Sequence, residues 1–223
     1  MRRMIITIDG PAGSGKSTAA RELAKALRIA YLDTGATYRA VTLKALREGI
    51  RLEDDAALTS VAKAADIRLV PRDGGVQVLL DGDDVTDEVR TTTVTAKSYY
   101  AARCPSVRAV LVELQRRIGR ELGSFVTEGR DQGSVVFPDA DVKFYLDASA
   151  DVRATRRCQE LAARGEQVRH ADVLRAIERR DASDRNRAVA PLVKPAGAIE
   201  IDTSDMTIEQ MTAAMLAHVE AAR

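Results

Sequence analysis

An α/β fold built on a parallel sheet, with a small antiparallel insertion, is predicted by three features of the 223-residue chain. Short apolar runs without polar alternation recur between segments of helical periodicity, as in strands covered on both faces. A glycine-rich stretch lies between the first such run and the first helix. Residues 66–90 then switch to an alternating pattern punctuated by Asp-Gly and Gly-Gly pairs.

The first run, Met4-Ile5-Ile6-Thr7-Ile8, reads as a buried strand. From Lys16 a helix follows, with Ala20, Leu23, Ala24 and Leu27 at three- and four-residue steps. Residues 29–32 make a second short strand, ending in Asp33-Thr34-Gly35, and residues 37–48 a helix closed by Gly49. Residues 67–70, 76–80 and the segment around Val85 form the insertion, with turns at Asp73-Gly74-Gly75 and Asp81-Gly82 that use positive φ. Residues 95–119 return to helix, broken near Pro105. Two more strands are expected at 125–128 and 142–146, charged helices at 151–164 and 171–180, a last strand at 199–201 and a helix at 208–221.

The length suits one domain with a modest insertion. A hydrophobic fraction of 45% with 30% charged residues is globular and argues against a disordered chain. Thirty-four basic against 33 acidic side chains leave a net charge of +1, which excludes nucleic-acid binding by bulk charge, though not by a local basic patch. Cys104 and Cys158 are too far apart for a C-x-x-C zinc site and too few for a disulfide framework. No apolar run approaches the roughly 18 residues of a membrane span, and the run after the first arginines is too short for a signal-peptide core. A cytoplasmic monomer without nucleic-acid or membrane partners is expected.

Gly10-Pro11-Ala12-Gly13-Ser14-Gly15-Lys16-Ser17 matches G-x-x-x-x-G-K-[ST] in full. The glycines let backbone N–H groups approach phosphate oxygens, and the following helix directs its positive dipole end at the same anion. Lys16, expected at a solvent-exposed helix start, adds a point charge on the outer phosphates. The Ser17 hydroxyl is placed to ligate Mg²⁺, and Thr18 extends the triphosphate-binding stretch. The motif follows an apolar strand and opens a helix, so a nucleoside triphosphate site is the expectation, with ATP and Mg²⁺ as donor and metal.

Arginines mark the segments that could hold a second ligand. Arg39 lies beyond the second strand, Arg108 in the middle helical region and Arg130 directly after the strand ending at Glu128. Arg180, Arg185 and Arg187 follow a helix. Ligands of parallel sheets bind outside the carboxyl ends of the strands. Guanidinium forks grip phosphate bidentately and stabilise a transferring phosphoryl group. If the helix runs on, Arg180, Asp184 and Arg187 share one face, at steps of four and seven residues; a self-satisfied surface network is the bland alternative.

The chain resembles the bacterial cytidylate kinase family over essentially its whole length. The carrying segments are Ile8-Asp9-Gly10-Pro11, Leu32-Asp33-Thr34-Gly35-Ala36-Thr37-Tyr38-Arg39, Glu128-Gly129-Arg130-Asp131-Gln132-Gly133-Ser134-Val135-Val136-Phe137-Pro138 and Asp184-Arg185-Asn186-Arg187-Ala188-Val189-Ala190-Pro191-Leu192. The resemblance implies a five-stranded parallel core, an inserted monophosphate-binding subdomain at 62–100 and a lid at 151–170. It implies ATP-dependent phosphorylation of CMP and dCMP. By position, Thr34, Arg108 and Asp131 would contact cytosine. Arg39, Arg130 and Arg187 would grip the acceptor phosphate, and Arg180 with Asp184 would hold the sugar. Arg153, Arg156 and Arg157 would reach the ATP phosphates. Lys16, Arg130, Arg187 and Asp131 form the expected catalytic set. Independently of the resemblance, a carboxylate such as Asp131 accepts from the exocyclic amine of cytosine and repels the carbonyl of uracil; its alternative role is to orient Arg130.

The family carries a small hydroxyl residue nine positions before Arg108. This chain has Tyr99 there, flanked by Ser98 and Tyr100, so either the Tyr99 phenol or the Ser98 hydroxyl takes that sugar contact. Thr34 replaces the family's common serine and keeps the hydroxyl. The rival functions are a kinase for UMP, AMP or shikimate, or a nucleotide-driven switch, which leaves the acceptor-side arginines without a purpose.

Overall fold

Strand β1 (Ile5–Asp9) runs through the middle of a parallel sheet, and four of its five residues are buried. That two-sided burial is why its sequence shows no polar alternation. The computed structural model describes residues 3–72, 75–163 and 165–222. Asp73-Gly74 of the expected first hairpin turn, and Arg164 at the expected end of a helix, lie outside them. Helix α1 (Lys16–Leu27) follows β1 and packs Ala19, Ala20, Leu23 and Ala24 into the core. Next come β2 (Ala30–Asp33), α2 (Thr34–Arg47) and α3 (Asp55–Ala64).

The insertion comprises β3 (Ile67–Arg72), β4 (Gly75–Leu80) and β5 (Asp83–Asp84), paired antiparallel in that order. Asp81 and Gly82 both take positive φ, 52° and 95°, as their hairpin turn requires. A single 3₁₀ turn (Glu88–Arg90) leads to α4 (Thr92–Lys97), α5 (Tyr99–Arg103) and α6 (Pro105–Leu122). Then come β6 (Phe125–Gly129), a π-helical turn (Gln132–Val136), β7 (Val142–Asp147), α7 (Ala150–Ala162), α8 (His170–Arg185), β8 (Ile199–Asp202) and α9 (Ile208–Ala221).

The parallel strands are ordered β2-β6-β1-β7-β8. Phe125 and Phe144, fully buried on the two neighbours of β1, anchor the core, each contributing roughly 2–3 kcal/mol of apolar burial. A second, small apolar cluster of Ala154, Leu161, Val173 and Ile177 joins α7 to α8 apart from the main core. Among the described residues no helix is long and apolar enough to cross a membrane. Both cysteines are free.

The helices between β2 and β6 differ from expectation. Helix α2 begins at Thr34 rather than residue 37, because Asp33 caps it by accepting from the Ala36 N–H at 3.0 Å. Residues 95–119 are three helices rather than one interrupted one, with Thr91 capping α4 and Pro105 occupying the first turn of α6. Helix α3 was not anticipated, although Asp54 caps it and Leu58, Val61 and Ala62 fall at helical spacing.

Candidate active site

Sheet register brings the site together at one edge. Asp9 pairs with Gly129 and with Tyr145, while Asp33 pairs with Glu128. The glycine loop, the start of α2 and the Gly129-Arg130-Asp131 corner therefore leave the sheet side by side. Asp9 braces that corner: its buried carboxylate accepts the N–H groups of Gln132 and Gly133 at 2.8 and 2.7 Å. Burial raises its pKa to about 6, against the lowering effect of those two bonds.

The loop runs tightly against β7. A Cβ at Gly10 would stand 2.0 Å from the Leu146 carbonyl oxygen, so only glycine passes there. Gly15, at φ 87°, caps α1. Lys16 is 4% exposed, which corrects the expectation of an exposed helix start. Arg130, Glu128, Asp9 and Asp184 converge on it. Its ammonium donates to the Pro11 carbonyl at 2.5 Å and to the Ser14 hydroxyl at 3.4 Å. Burial, then Arg130, lower its pKa to about 7. Ser17 donates to Glu128 at 2.8 Å, and Tyr31 donates to the same carboxylate oxygen at 3.3 Å. Thr18 is half-buried in the first turn of α1.

The residues expected on the acceptor side come from distant segments. Arg108 and Asp131 form a buried ion pair, so Asp131 answers to Arg108 and not to its neighbour Arg130. Arg130 donates instead to Asp184 at 2.9 Å and to the Gly129 carbonyl at 3.1 Å. Burial works against the Arg130 charge, and Asp184 and Glu128 outweigh it, raising its pKa. Burial likewise disfavours the Asp184 anion, but Arg130, Arg180 and Arg187 hold its carboxyl below the usual range. Arg180 is pushed down to about 10 by burial and by Arg130. Thr34 donates to the Glu128 carbonyl at 2.7 Å, leaving its hydroxyl oxygen free to accept.

Helix α8 extends past residue 180 to Arg185 but does not reach Arg187, so the expected continuous face holds only Arg180 and Asp184. The chain instead folds back, with the Leu192 N–H on the Asp184 carbonyl at 2.8 Å. This keeps Arg187 within electrostatic reach of Asp184, Asp131 and Tyr38. Two of its guanidinium nitrogens, Nε and one terminal N, are buried without an acceptor. The Arg39 Nε is likewise orphaned, while its terminal nitrogen donates to Asp33 at 2.9 Å.

Two residues expected near the triphosphate have their donors engaged elsewhere. Arg153 donates to the Ala148 and Ala12 carbonyls at 2.9 and 3.0 Å and pairs with buried Asp181 at 2.7 Å. Arg156 donates to the Thr203 carbonyl and hydroxyl. Arg157 lines the cleft with Ser17, Tyr31, Asp33, Arg39 and Glu128. Ser98 is buried and donates to the Thr95 carbonyl at 2.8 Å, whereas Tyr99 is exposed and stacks on Tyr100. Asp9, Asp33 and Arg90 join the site through the fold and not through any role expected from the sequence. A carboxylate ending a buried strand, as at Asp9, was the available signal.

The family model described as cytidylate kinase matches residues 6–221. The chain belongs to the cytidylate kinase family. A cytidylate kinase of Caldanaerobacter subterraneus subsp. tengcongensis is 48% identical over 92% of this chain and 90% of the relative. One from Desulforamulus reducens is 50% identical over 96% of each. The fold is also that of an uncharacterized protein from Eubacterium ventriosum, at a TM-score of 0.52 and 14% identity, covering 98% of this chain and 99% of that one. The side-chain pairs described above are properties of this chain.

Proposed function

We propose that this protein transfers the γ-phosphoryl group of ATP to CMP or dCMP, giving ADP and CDP or dCDP. The observation that carries the reading is the set of orphaned guanidinium nitrogens on Arg39 and Arg187, beside a phosphate loop. Buried donors are nearly always paired, and a phosphate brings the missing acceptors. The loop Gly10–Ser17 with Thr18 holds the triphosphate, and Lys16 moves from the Pro11 carbonyl to the outer phosphates. Arg39, Arg130 and Arg187 grip the acceptor phosphate. Arg180 and Asp184 face the sugar, and buried Ser98, rather than Tyr99, supplies the hydroxyl on that side.

Cytosine fits the Arg108–Asp131 pair as a donor and an acceptor set side by side. Asp131 and the Thr34 oxygen accept from the exocyclic amine, and Arg108 donates to the ring edge. Because the acceptor phosphate is already anionic, no general base is needed. One of its oxygens attacks the γ-phosphorus in line and ADP leaves, with Lys16, Arg130 and Arg187 around the migrating group.

The all-oxygen donor set at Ser17 and Glu128 fits Mg²⁺, which commonly takes few protein ligands and fills its shell with water and phosphate oxygens. Bound there, it would neutralise charge on the phosphates. Residues 62–100 form the acceptor-side subdomain, although their apolar residues join the main core, and residues 151–170 form the lid, whose Ala154 and Leu161 pack with Val173 and Ile177 in a cluster of their own. The hydrogen bond from Thr92 to Glu166, 3.0 Å long, joins the two across the cleft. Closure there excludes water from the phosphoryl group.

The test is ADP release from ATP·Mg²⁺ with CMP, dCMP, UMP, AMP, GMP and shikimate offered separately. Turnover with CMP and dCMP well above the rest is expected. Preference for another acceptor, or hydrolysis indifferent to all of them, overturns the proposal.

A further inference from the structure

We infer that Arg90, carried by the inserted segment, is a further guanidinium of the acceptor-phosphate grip, and that Asp33 is the positioning residue that holds Arg90 and Arg39 ready for the anion. The inference rests on the kinase reading above. Arg90 ends the 3₁₀ turn, and that turn is fixed from both sides. The Val89 side chain is fully buried and its N–H donates to the Val85 carbonyl at 3.0 Å. The Glu88 carboxylate accepts from Arg47 on α2. The backbone at Arg90 is thereby set relative to α2, which also carries Arg39.

The two guanidiniums compete for one oxygen. Arg39 holds Asp33 Oδ2 at 2.9 Å, and Arg90 stands 3.5 Å from the same atom. The first is a hydrogen bond, while the second is too long for one and is Coulombic only. Two cations against one carboxylate leave an excess positive charge, and the Nε of each arginine is buried without an acceptor. The Arg90 side chain is nonetheless 38% exposed and opens onto the cleft that contains Ser17 and Glu128. A structural salt bridge would have closed its donors on the protein. A group with several anionic oxygens satisfies both orphaned nitrogens at once, and a monophosphate has that chemistry.

The phosphate could belong to the acceptor or the donor, and the shared Asp33 contact with Arg39 favours the acceptor. The experiment compares wild type, Arg90→Ala and Arg90→Met. It reads kcat, the KM for CMP, the KM for ATP, and calorimetric binding of CMP and of cytidine, which lacks the phosphate. Either variant is expected to raise the KM for CMP and weaken CMP binding about 10- to 100-fold, the scale of a charge-assisted contact. The KM for ATP and cytidine binding should stay within about twofold. Arg90→Met keeps the apolar stem, so it decides the matter if the alanine variant is poorly folded. An unchanged KM for CMP, an equal loss for CMP and cytidine, or a loss confined to ATP overturns the inference while leaving the kinase reading intact. Absence of CMP phosphorylation by the wild-type protein defeats the kinase reading itself, and the Arg90 assignment with it.

Discussion

The two sides of the cleft are built in opposite ways. On the phosphate-loop side, polar groups already have partners: Lys16 donates to Pro11, Ser17 to Glu128, and Arg153 to the Ala12 carbonyl. On the side proposed for the acceptor, Arg39, Arg90 and Arg187 keep buried nitrogens with no acceptor. The loop side is one contiguous stretch held by its own bonds from Ser14 and Lys16 to Pro11 and by two from outside, at Glu128 and Arg153. The acceptor side gathers side chains from α2, the insertion, α6, the β6 corner and the end of α8. Unsatisfied donors there lower stability, by roughly 1–3 kcal/mol each, and a bound phosphate reverses that loss. The contrast implies that the loop is preformed and the acceptor site is completed by its ligand.

The largest effect expected from breaking this contrast is on the loop side. Lys16→Ala should reduce kcat by more than a hundredfold, the roughly 3 kcal/mol of a lost transition-state contact. It should leave the circular dichroism and melting temperature unimpaired, because it also removes a buried charge. Near-normal turnover in a folded variant would take Lys16 out of the mechanism.

On the acceptor side, Arg187→Ala should impair CMP and dCMP alike, since both carry the phosphate, by about ten- to a hundredfold in kcat/KM. Asp184→Ala should impair CMP more than dCMP if its sugar contact includes the 2′-hydroxyl. It should also cost stability, because half-buried Arg130 loses its carboxylate partner and keeps only the Gly129 carbonyl. Activity within twofold of wild type on both nucleotides would assign Asp184 to the arginine network alone.

A smaller change is expected in selectivity. Asp131→Asn should lower the CMP-to-UMP ratio of kcat/KM about tenfold, because an amide also donates to the uracil carbonyl. The ratio is the informative readout, since loss of the buried pair with Arg108 depresses both substrates. An unchanged ratio would leave Asp131 as a partner for Arg108 and nothing more.

A last effect, graded by pH, concerns protons. The ordinary lysine value is 10.5, and Lys16 is lowered to about 7. Between those values the unfolded chain binds the extra proton, so this group's contribution to stability rises with pH across that window. Below about pH 7 its burial cost is present in full. ATP binding restores the cation, so above about pH 7 the ATP affinity should fall by up to tenfold per pH unit. Calorimetry at pH 8 in buffers of different ionisation enthalpy should show uptake approaching one proton, and Lys16→Met should abolish it. Buffer-independent heats in the wild type would show that Lys16 is already charged.

Much of this molecule is written locally. Backbone hydrogen bonding, glycine conformation and apolar periodicity act over a few residues, so the phosphate loop, the strands of both sheets and helices α1 and α9 can be read directly from the chain. The same kind of local signal marks the start of α3, where Asp54 accepts from the Ala56 and Ala57 N–H groups. Burial and pairing are different, because they depend on which distant segments the sheet register brings together. Lys16 looks exposed at the start of a helix but is buried, within electrostatic reach of charged groups at the ends of β1, β6 and α8. Arg187 lies beyond its helix and is held at the site by a bond from Leu192 to Asp184. Asp131 adjoins Arg130 in sequence, yet it pairs with Arg108 on α6, while Arg130 turns to Asp184 on α8. Adjacent side chains leaving a strand end point in different directions, so the tertiary fold decided which arginine each carboxylate meets.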